Sequence, residues 1–272
     1  MAERTAQAGY VLRDRHPERV EVYTRYDEWS AQARALPCFH GALPYGDHPR
    51  ERFDLFAAEA PDAPLVIFFH GGYWQSLDRS RFAFVGARLA RCGFTAALPS
   101  YPLCPETGID GILQSARRSL AAIFGALERD HRHPRHWVLS GHSAGGHIAA
   151  WLACAERPAR LTRPAGCLAV SGIFDLAPLR ETTLNEALGL TAAQAERLAP
   201  PGGGPRKPAM RLVVGEDETQ EFHDQSARYL RRTRARGGDA EMTMLPGRNH
   251  YTIMGEIMAD GSELLQLFAR FR

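Results

Sequence analysis

The residues best suited to chemistry in this chain are a serine, a late histidine and a group of carboxylates. Ser143 lies in Gly141-His-Ser143-Ala-Gly145, directly after the apolar run 137–139 and before a stretch of small residues. A strand that runs into Gly-x-Ser-x-Gly and then a helix is typical of a nucleophile elbow, a sharp turn that presents the serine hydroxyl above a parallel sheet. The pattern also arises by chance, so the neighbouring segments must supply the remaining evidence.

A serine nucleophile needs a base and a group that orients the base. In an elbow of this kind the chain order is serine, acid, histidine. His250 lies in Pro246-Gly-Arg-Asn-His250-Tyr, just past the last predicted strand, and is the candidate base. The acid is expected after the strand at 211–214, where Glu216, Asp217 and Glu218 follow one another. Chemistry alone does not separate these three carboxylates.

Donors for a developing oxyanion are predicted from His70-Gly-Gly-Tyr-Trp74, which directly follows the apolar run 65–69. Glycines allow the backbone to fold close to the elbow, so that amide N–H groups can point at the reacting carbonyl oxygen. The amides of Gly72, Tyr73 and Ala144 are therefore the predicted oxyanion hole. Aromatic residues beside the catalytic segments, Trp74 and Tyr251 above all, are the predicted substrate-binding side chains.

Short apolar runs alternate with amphipathic stretches of helical length, which indicates an α/β fold with a mostly parallel central sheet flanked by helices. We expect a single domain over 1–272. Residues 1–45 are expected to form an extension that packs a helix over one end of the sheet, and residues 175–208 a lid-like insertion. Predicted strands lie at 52–58, which is expected to be an edge strand, and at 65–69, 94–98, 137–139, 167–171, 211–214 and 241–245.

Composition excludes several classes of function. The formal net charge of +2 gives no electrostatic reason to expect nucleic acid or an anionic membrane as a partner. The five cysteines are widely spaced without a Cys-x-x-Cys pair, so neither a disulfide framework nor a zinc site is expected. The histidines at 131, 133 and 136 are interpreted as a solvated loop, and we expect no metal and no cofactor. No signal peptide is visible, which makes the cytoplasm the expected location; we allow for a homodimer.

Several blocks resemble the kynurenine formamidase (arylformamidase) family of α/β hydrolases, close to the hormone-sensitive-lipase-like esterases. The resemblance runs from about residue 45 to the C-terminus, and the blocks that carry it are His70-Gly-Gly-Tyr-Trp74, Gly141-His-Ser-Ala-Gly-Gly-His147, Ser171-Gly-Ile-Phe-Asp-Leu-Ala-Pro-Leu179, Asn185-Glu-Ala-Leu-Gly-Leu190, Val214-Gly-Glu-Asp-Glu-Thr-Gln-Glu-Phe-His-Asp-Gln-Ser226 and Gly247-Arg-Asn-His-Tyr251.

The resemblance implies an α/β-hydrolase fold, no cofactor, and hydrolysis of N-formyl-L-kynurenine to kynurenine and formate. In the family the acid stands three residues after the strand-end glycine, which here is Glu218; many relatives carry Asp at that position, and Asp217 stays an alternative. Ser143, Glu218 and His250 are thus the expected triad for a small acyl amide or ester. The alternatives are a general short-chain carboxylesterase and a non-catalytic α/β-hydrolase that only binds a ligand.

Overall fold

The structure, a computed structural model, describes residues 5–155 and 161–271; the first four residues of the expected extension, residues 156–160 and residue 272 lie outside that description. Within the described residues eight strands form one sheet in the order β1-β2-β4-β3-β5-β6-β7-β8. Strands β3 to β8 run parallel to one another, whereas β2 is antiparallel to both of its neighbours, β1 and β4. The mostly parallel sheet confirms the prediction.

The strands are β1 Phe39–Pro44, β2 Arg52–Phe56, β3 Leu65–Phe69, β4 Thr95–Pro99, β5 Trp137–His142, β6 Gly166–Val170, β7 Ala209–Gly215 and β8 Ala240–Leu245. The helices are α1 Ala6–Tyr10, α2 Arg19–Arg34, α3 Ala83–Arg91, α4 Ile109–Arg129, α5 Ala144–Cys154, α6 Asn185–Leu188, α7 Ala192–Leu198, α8 Gln220–Ala235 and α9 Glu263–Ala269, with 3₁₀ turns at Arg79–Phe82, Ala177–Glu181 and Ile253–Met258.

Strand β3 shows why the sheet is buried on both faces. Leu65, Ile67 and Phe69 pack into one apolar cluster, which also receives α4, α5 and α8. Val66 and Phe68 point the other way, into a second cluster with α2, α3 and α9. Because alternate side chains of a strand face opposite sides, a continuous apolar run such as 65–69 requires helices on both faces. The result is a three-layer sandwich of helices, sheet and helices.

Strand β1 is a correction to the sequence analysis, which placed residues 39–44 in the helical extension and made 52–58 the edge strand. In the structure β1 pairs with β2 and takes the edge position itself. Its side chains are mostly exposed, and the register shifts between His40 and Leu43, where Ala42 has a φ of 56°. A bulge in an exposed strand removes the alternation on which sequence-based strand prediction depends.

Two chain segments come together at the carboxyl ends of the parallel strands. Residues 5–13, which we call the N-terminal strap, run from α1 into this region, while α2 packs against α3 on one face of the sheet. The short helices α6 and α7 belong to the expected insertion at 175–208. Ligands of open α/β sheets bind at this end of the strands, so these segments surround the place where a site is expected.

Candidate active site

The turn between β5 and α5 holds Ser143 in a strained conformation. Its φ of 56° and ψ of −118° are those of a residue forced into a sparsely populated region, as a nucleophile elbow requires. A Cβ at Gly141 would lie 2.2 Å from the carbonyl oxygen of Gly145, and a Cβ at Gly145 would lie 2.0 Å from that of Phe69. Both glycines are therefore required by close backbone contacts.

The imidazole of His250 is held by a buried carboxylate. His250 Nδ1 lies 2.7 Å from Oε2 of Glu218. The other carboxyl oxygen, Oε1, accepts hydrogen bonds from the hydroxyl of Ser171 at 2.5 Å and from the amide of Gly215 at 2.8 Å. Three donors thus converge on Glu218, which places a His250 proton on Nδ1 and directs Nε2 away from the carboxylate. An imidazole in this tautomer can accept a proton through Nε2.

The structure distinguishes the carboxylates that the sequence left open. Glu218 is buried and bonded to His250, whereas the side chains of Asp217 and Glu216 lie exposed. Glu216 accepts a hydrogen bond from the amide of Gly247 instead. The pairing of His250 with Glu218 agrees with the position that the family resemblance implies.

The rings around His250 fix its orientation and add no positive charge beside it. The ring centroid of Phe222 lies 4.3 Å from that of His250, and the ring of His142 lies 4.8 Å away. Burial lowers the pKa of His142 well below its usual value, and the neighbouring imidazole of His250 acts in the same direction. His142 is therefore neutral near pH 7 and places no second positive charge beside His250.

The loop after β3 has the form of an oxyanion hole. Gly72 has a φ of +113°, and a Cβ there would lie 2.2 Å from the carbonyl oxygen of Ser76. The carbonyl of Gly72 accepts hydrogen bonds from the amides of Gln75 and Ser76, which closes a tight turn. In the described part of the chain the amides of Gly72 and Tyr73 donate to no acceptor. Ala144 begins α5, so its amide has no partner within the helix.

A cavity of about 550 Å³ lies beside these groups. Ser143, His250, Gly72 and Tyr73 all line it, so the nucleophile, the imidazole and two of the predicted oxyanion residues share one space. The rest of the wall comes from the N-terminal strap and α2 (Val11, Leu12, Arg13, Arg19, Tyr23), the loop after β3 (Gln75, Ser76, Leu77, Arg81), the insertion (Thr183, Leu184, Glu186), and His142 and Tyr251.

The N-terminal strap is a part of this wall that no sequence motif marked. Its backbone is tied to two functional loops: Thr219 Oγ1 donates to the carbonyl of Gly9 at 2.8 Å, and the Tyr73 hydroxyl donates to that of Tyr10 at 2.5 Å. The side-chain nitrogen of Gln7 donates to the hydroxyl of Thr183 in the insertion, and the side-chain oxygen of Gln7 accepts from the Thr183 backbone amide. The strap thus links the acid loop, the oxyanion loop and the insertion.

The two predicted substrate-binding aromatic residues have different positions. Tyr251 lines the cavity, but Trp74 is fully buried and its ring packs edge-on against His147 at 5.0 Å. The expectation for Trp74 is therefore wrong. Tyr73 and Trp74 both have positive φ, and the backbone turn sends the Tyr73 side chain to the cavity and that of Trp74 into the core.

Residues 5–155 and 161–271 contain neither a metal-ligand cluster nor a membrane-spanning helix. No group of three potential metal-ligating side chains lies together in that part of the chain. No helix there is both long enough and apolar enough to cross a bilayer.

Comparison with known proteins identifies the family. A model described as the alpha/beta hydrolase fold matches residues 66–254, which contain Ser143, Glu218 and His250. The chain belongs to the α/β-hydrolase fold family. This membership confirms the predicted fold class, and the kynurenine formamidase relatives confirm the prediction that the protein is a hydrolase.

Several relatives of this α/β hydrolase carry a more specific name. Kynurenine formamidase of Danio rerio is 28% identical over 238 residues, which cover 84% of this chain and 80% of the relative. The enzyme of the same name from Salmo salar is 28% identical over 261 residues, covering 91% of this chain and 86% of the relative. A solved structure from Silicibacter sp. tm1040, provisionally assigned as a thioesterase, matches with a TM-score of 0.85 and 25% identity, covering 97% of this chain and 98% of that one.

Proposed function

We propose that this α/β hydrolase is an arylformamidase that removes the formyl group from N-formylkynurenine by serine catalysis. The observation that carries the proposal is the arrangement of Ser143 and His250 on one cavity, with His250 held at 2.7 Å by the buried Glu218. The kynurenine formamidase relatives support the substrate, because the match extends over most of both chains. All five cysteines are free thiols, which supports the cytoplasm as the proposed location.

In the proposed first half of the reaction, the Ser143 hydroxyl attacks the formyl carbon. Nε2 of His250 takes the hydroxyl proton, which converts the imidazole to an imidazolium. Glu218 stabilises this cation through its hydrogen bond with Nδ1. The amides of Gly72, Tyr73 and Ala144 donate to the oxygen that becomes negatively charged. A hole of this kind lowers the barrier because its dipoles are fixed before the charge develops.

The second half releases the products. His250 gives its proton to the leaving aryl amine as the C–N bond breaks, which leaves a formyl ester on Ser143. A water molecule then attacks this ester with His250 as the base, and formate leaves. No metal or cofactor is required for either half, because the serine, the imidazole and the amides supply the nucleophile, the proton transfers and the charge stabilisation.

The shape of the cavity favours an aryl leaving group and a small acyl group. Tyr23, Tyr73 and Tyr251 supply aromatic surface to the wall, and rings of this type form apolar slots for flat ligands. A Cβ at Gly71 would lie within 3.2 Å of His142 and Ser143, so the loop after β3 packs directly against the elbow. The proposed acyl site lies between this loop and Ser143, and a formyl group, the smallest acyl group, needs the least room there.

The test compares turnover of N-formylkynurenine with turnover of p-nitrophenyl esters on one preparation, with Ser143→Ala as the background. The proposal requires kynurenine formation that disappears in Ser143→Ala. Ester turnover without any kynurenine formation would refute the formamidase and leave the short-chain carboxylesterase. An unmodified protein that turns over neither substrate would refute both the formamidase and the short-chain carboxylesterase.

A further inference from the structure

Two arginines on the cavity wall have no part in the proposed chemistry. Arg13 lies at the end of the N-terminal strap and Arg19 at the start of α2, and both line the same cavity as Ser143 and His250. Nη1 of Arg19 donates to the carbonyl oxygens of Arg13 at 2.6 Å and His16 at 3.2 Å, which holds the side chain in place. Carbonyl oxygens leave the positive charge of Arg19 uncompensated.

The acidic groups near these arginines are already engaged or exposed. Within the described ranges no carboxylate lies within 4.0 Å of Arg13 or Arg19. Glu18 bonds to His16 at 2.8 Å and accepts from Asn249 at 3.0 Å. Glu186, a carboxylate that lines the wall itself, is exposed on α6.

The charges on the wall add to a net positive value. Arg81, the third arginine there, forms a two-point ion pair with Asp27 at 2.8 and 2.7 Å, so its charge is neutralised. Glu186 offsets one of the two remaining positive charges, which come from Arg13 and Arg19. One positive charge therefore remains, which matches a carboxylate better than a doubly charged phosphate.

Two tyrosines lie beside these positive charges. The rings of Tyr23 and Tyr251 meet edge-on at 5.6 Å, and both line the cavity. Burial raises the pKa of both phenols, and the positive charges of Arg13 and Arg19 act in the opposite direction on each. The two guanidinium groups and the two phenols line the same cavity. This cavity combines aromatic surface with donors that suit an anion.

We propose that Arg13 and Arg19 bind a carboxylate on the leaving group of the substrate and so determine specificity. The inference rests on the proposed acyl transfer, because a small acyl group beside Gly71 directs the larger leaving group into the rest of the cavity. Arginine presents paired N–H donors that match the two oxygens of a carboxylate. The preferred substrates are acyl derivatives of aryl acids, and the matching neutral compounds are poorer substrates.

The test uses two esters that differ only in the acidic group: the acetyl ester of para-hydroxyphenylpropanoate and that of para-hydroxyphenylpropanamide. The saturated chain insulates the phenol, so the two esters have the same intrinsic reactivity. We expect Arg19→Gln to lower kcat/KM for the acid about tenfold, mainly through KM, and to leave kcat/KM for the amide within about twofold. Arg13 is more exposed than Arg19, so Arg13→Gln should lower kcat/KM for the acid by a smaller factor.

Arg25→Gln is the matched control, because it removes the same charge from an exposed position on α2 outside the cavity wall. An equal loss in Arg25→Gln and Arg19→Gln would overturn the proposal by showing a long-range charge effect. Equal kcat/KM values for acid and amide in the unmodified enzyme would also overturn it.

A binding measurement separates this inference from the proposed function. Ser143→Ala should bind para-hydroxyphenylpropanoate in calorimetry more tightly than the propanamide, and Arg19→Gln in the same background should remove the difference. This result would support the carboxylate site even if neither N-formylkynurenine nor any ester were turned over, an outcome that would refute only the proposed function. Equal binding of acid and amide would refute the carboxylate site.

Discussion

The carboxylate of Glu218 joins three loops, since it accepts from His250 Nδ1 at 2.7 Å while its other oxygen accepts from Ser171 and Gly215. The loop after β8 supplies His250, the end of β6 supplies Ser171, and the end of β7 supplies Gly215. The orientation of the imidazole therefore depends on contacts among three neighbouring parallel strands of the sheet.

Replacement of this acid should reduce turnover strongly. Glu218→Gln offers Nδ1 of His250 an amide that can present a donor, which favours the wrong tautomer, and we expect kcat to fall by about 10³–10⁴-fold. Asp217→Asn is the matched control, because the Asp217 side chain is exposed, and it should stay within about threefold. Steady-state kinetics of both variants provides the measurement, and the reverse ranking would move the role to Asp217.

Ser171 is predicted to position the acid. Ser171→Ala removes the hydroxyl that donates to Glu218 Oε1 at 2.5 Å, and we expect kcat to fall by about tenfold with little change in KM. Ser226→Ala is the control, since the buried Ser226 hydroxyl has no hydrogen-bond partner in the described part of the chain. If both alanine variants keep full activity, the hydrogen bond from Ser171 is not needed for catalysis.

Acyl chain length tests the small acyl pocket beside Gly71. Formyl and acetyl aryl esters should be the best ester substrates, and each methylene added once the pocket is full should cost ~1–3 kcal/mol in kcat/KM. A series from formyl to hexanoyl with a constant phenol gives the measurement. A maximum at butyryl or beyond, together with no turnover of aryl formamides, would favour the general carboxylesterase.

Acid should destabilise the fold through its buried histidines. Burial lowers the pKa of His147 from 6.5 to about 4, so the unfolded chain takes up a proton below about pH 6.5 while the folded protein does not. The stability contribution is therefore complete above that pH and is lost as the pH falls towards 4. His147→Gln keeps a donor for the Leu198 carbonyl but removes the titrating imidazole. Between pH 7.5 and 5 the free energy of unfolding of this variant should fall by about 2 kcal/mol less than that of the unmodified protein.

Denaturant unfolding of both proteins at the two pH values measures this difference, and the activity of the variant at pH 7.5 serves as a check on folding. Equal losses of stability in the two proteins would show that the buried His147 imidazole does not contribute to the acid sensitivity.

Local spacing was sufficient to predict the elbow, the order of the functional segments and most strands of the sheet. Ser143 and His250 stand in loops whose glycines and flanking apolar runs are visible in the sequence. The choice between Asp217 and Glu218 was different, because adjacent residues have the same local pattern. Burial and the hydrogen bonds from His250 and Ser171 separate them, and these are properties of the folded chain.

Other features depend on contacts between distant parts of the chain. Trp74 is fully buried because the backbone after Gly72 turns through two residues of positive φ, which a motif does not reveal. The role of the N-terminal strap depends on hydrogen bonds such as that from Thr219 to Gly9, which join positions about two hundred residues apart. Strand β1 depends on backbone pairing with β2 and has no alternating apolar pattern.

Covalent labelling of Ser143 tests the central claim most directly. A fluorophosphonate should add once per chain, the adduct should map to the peptide that contains Ser143, and turnover should disappear in proportion to labelling. Ser143→Ala, with an unchanged near-ultraviolet circular dichroism spectrum, should take up no label. Labelling at another residue accompanied by loss of activity, or full turnover by Ser143→Ala, would contradict the assignment of Ser143 as the nucleophile.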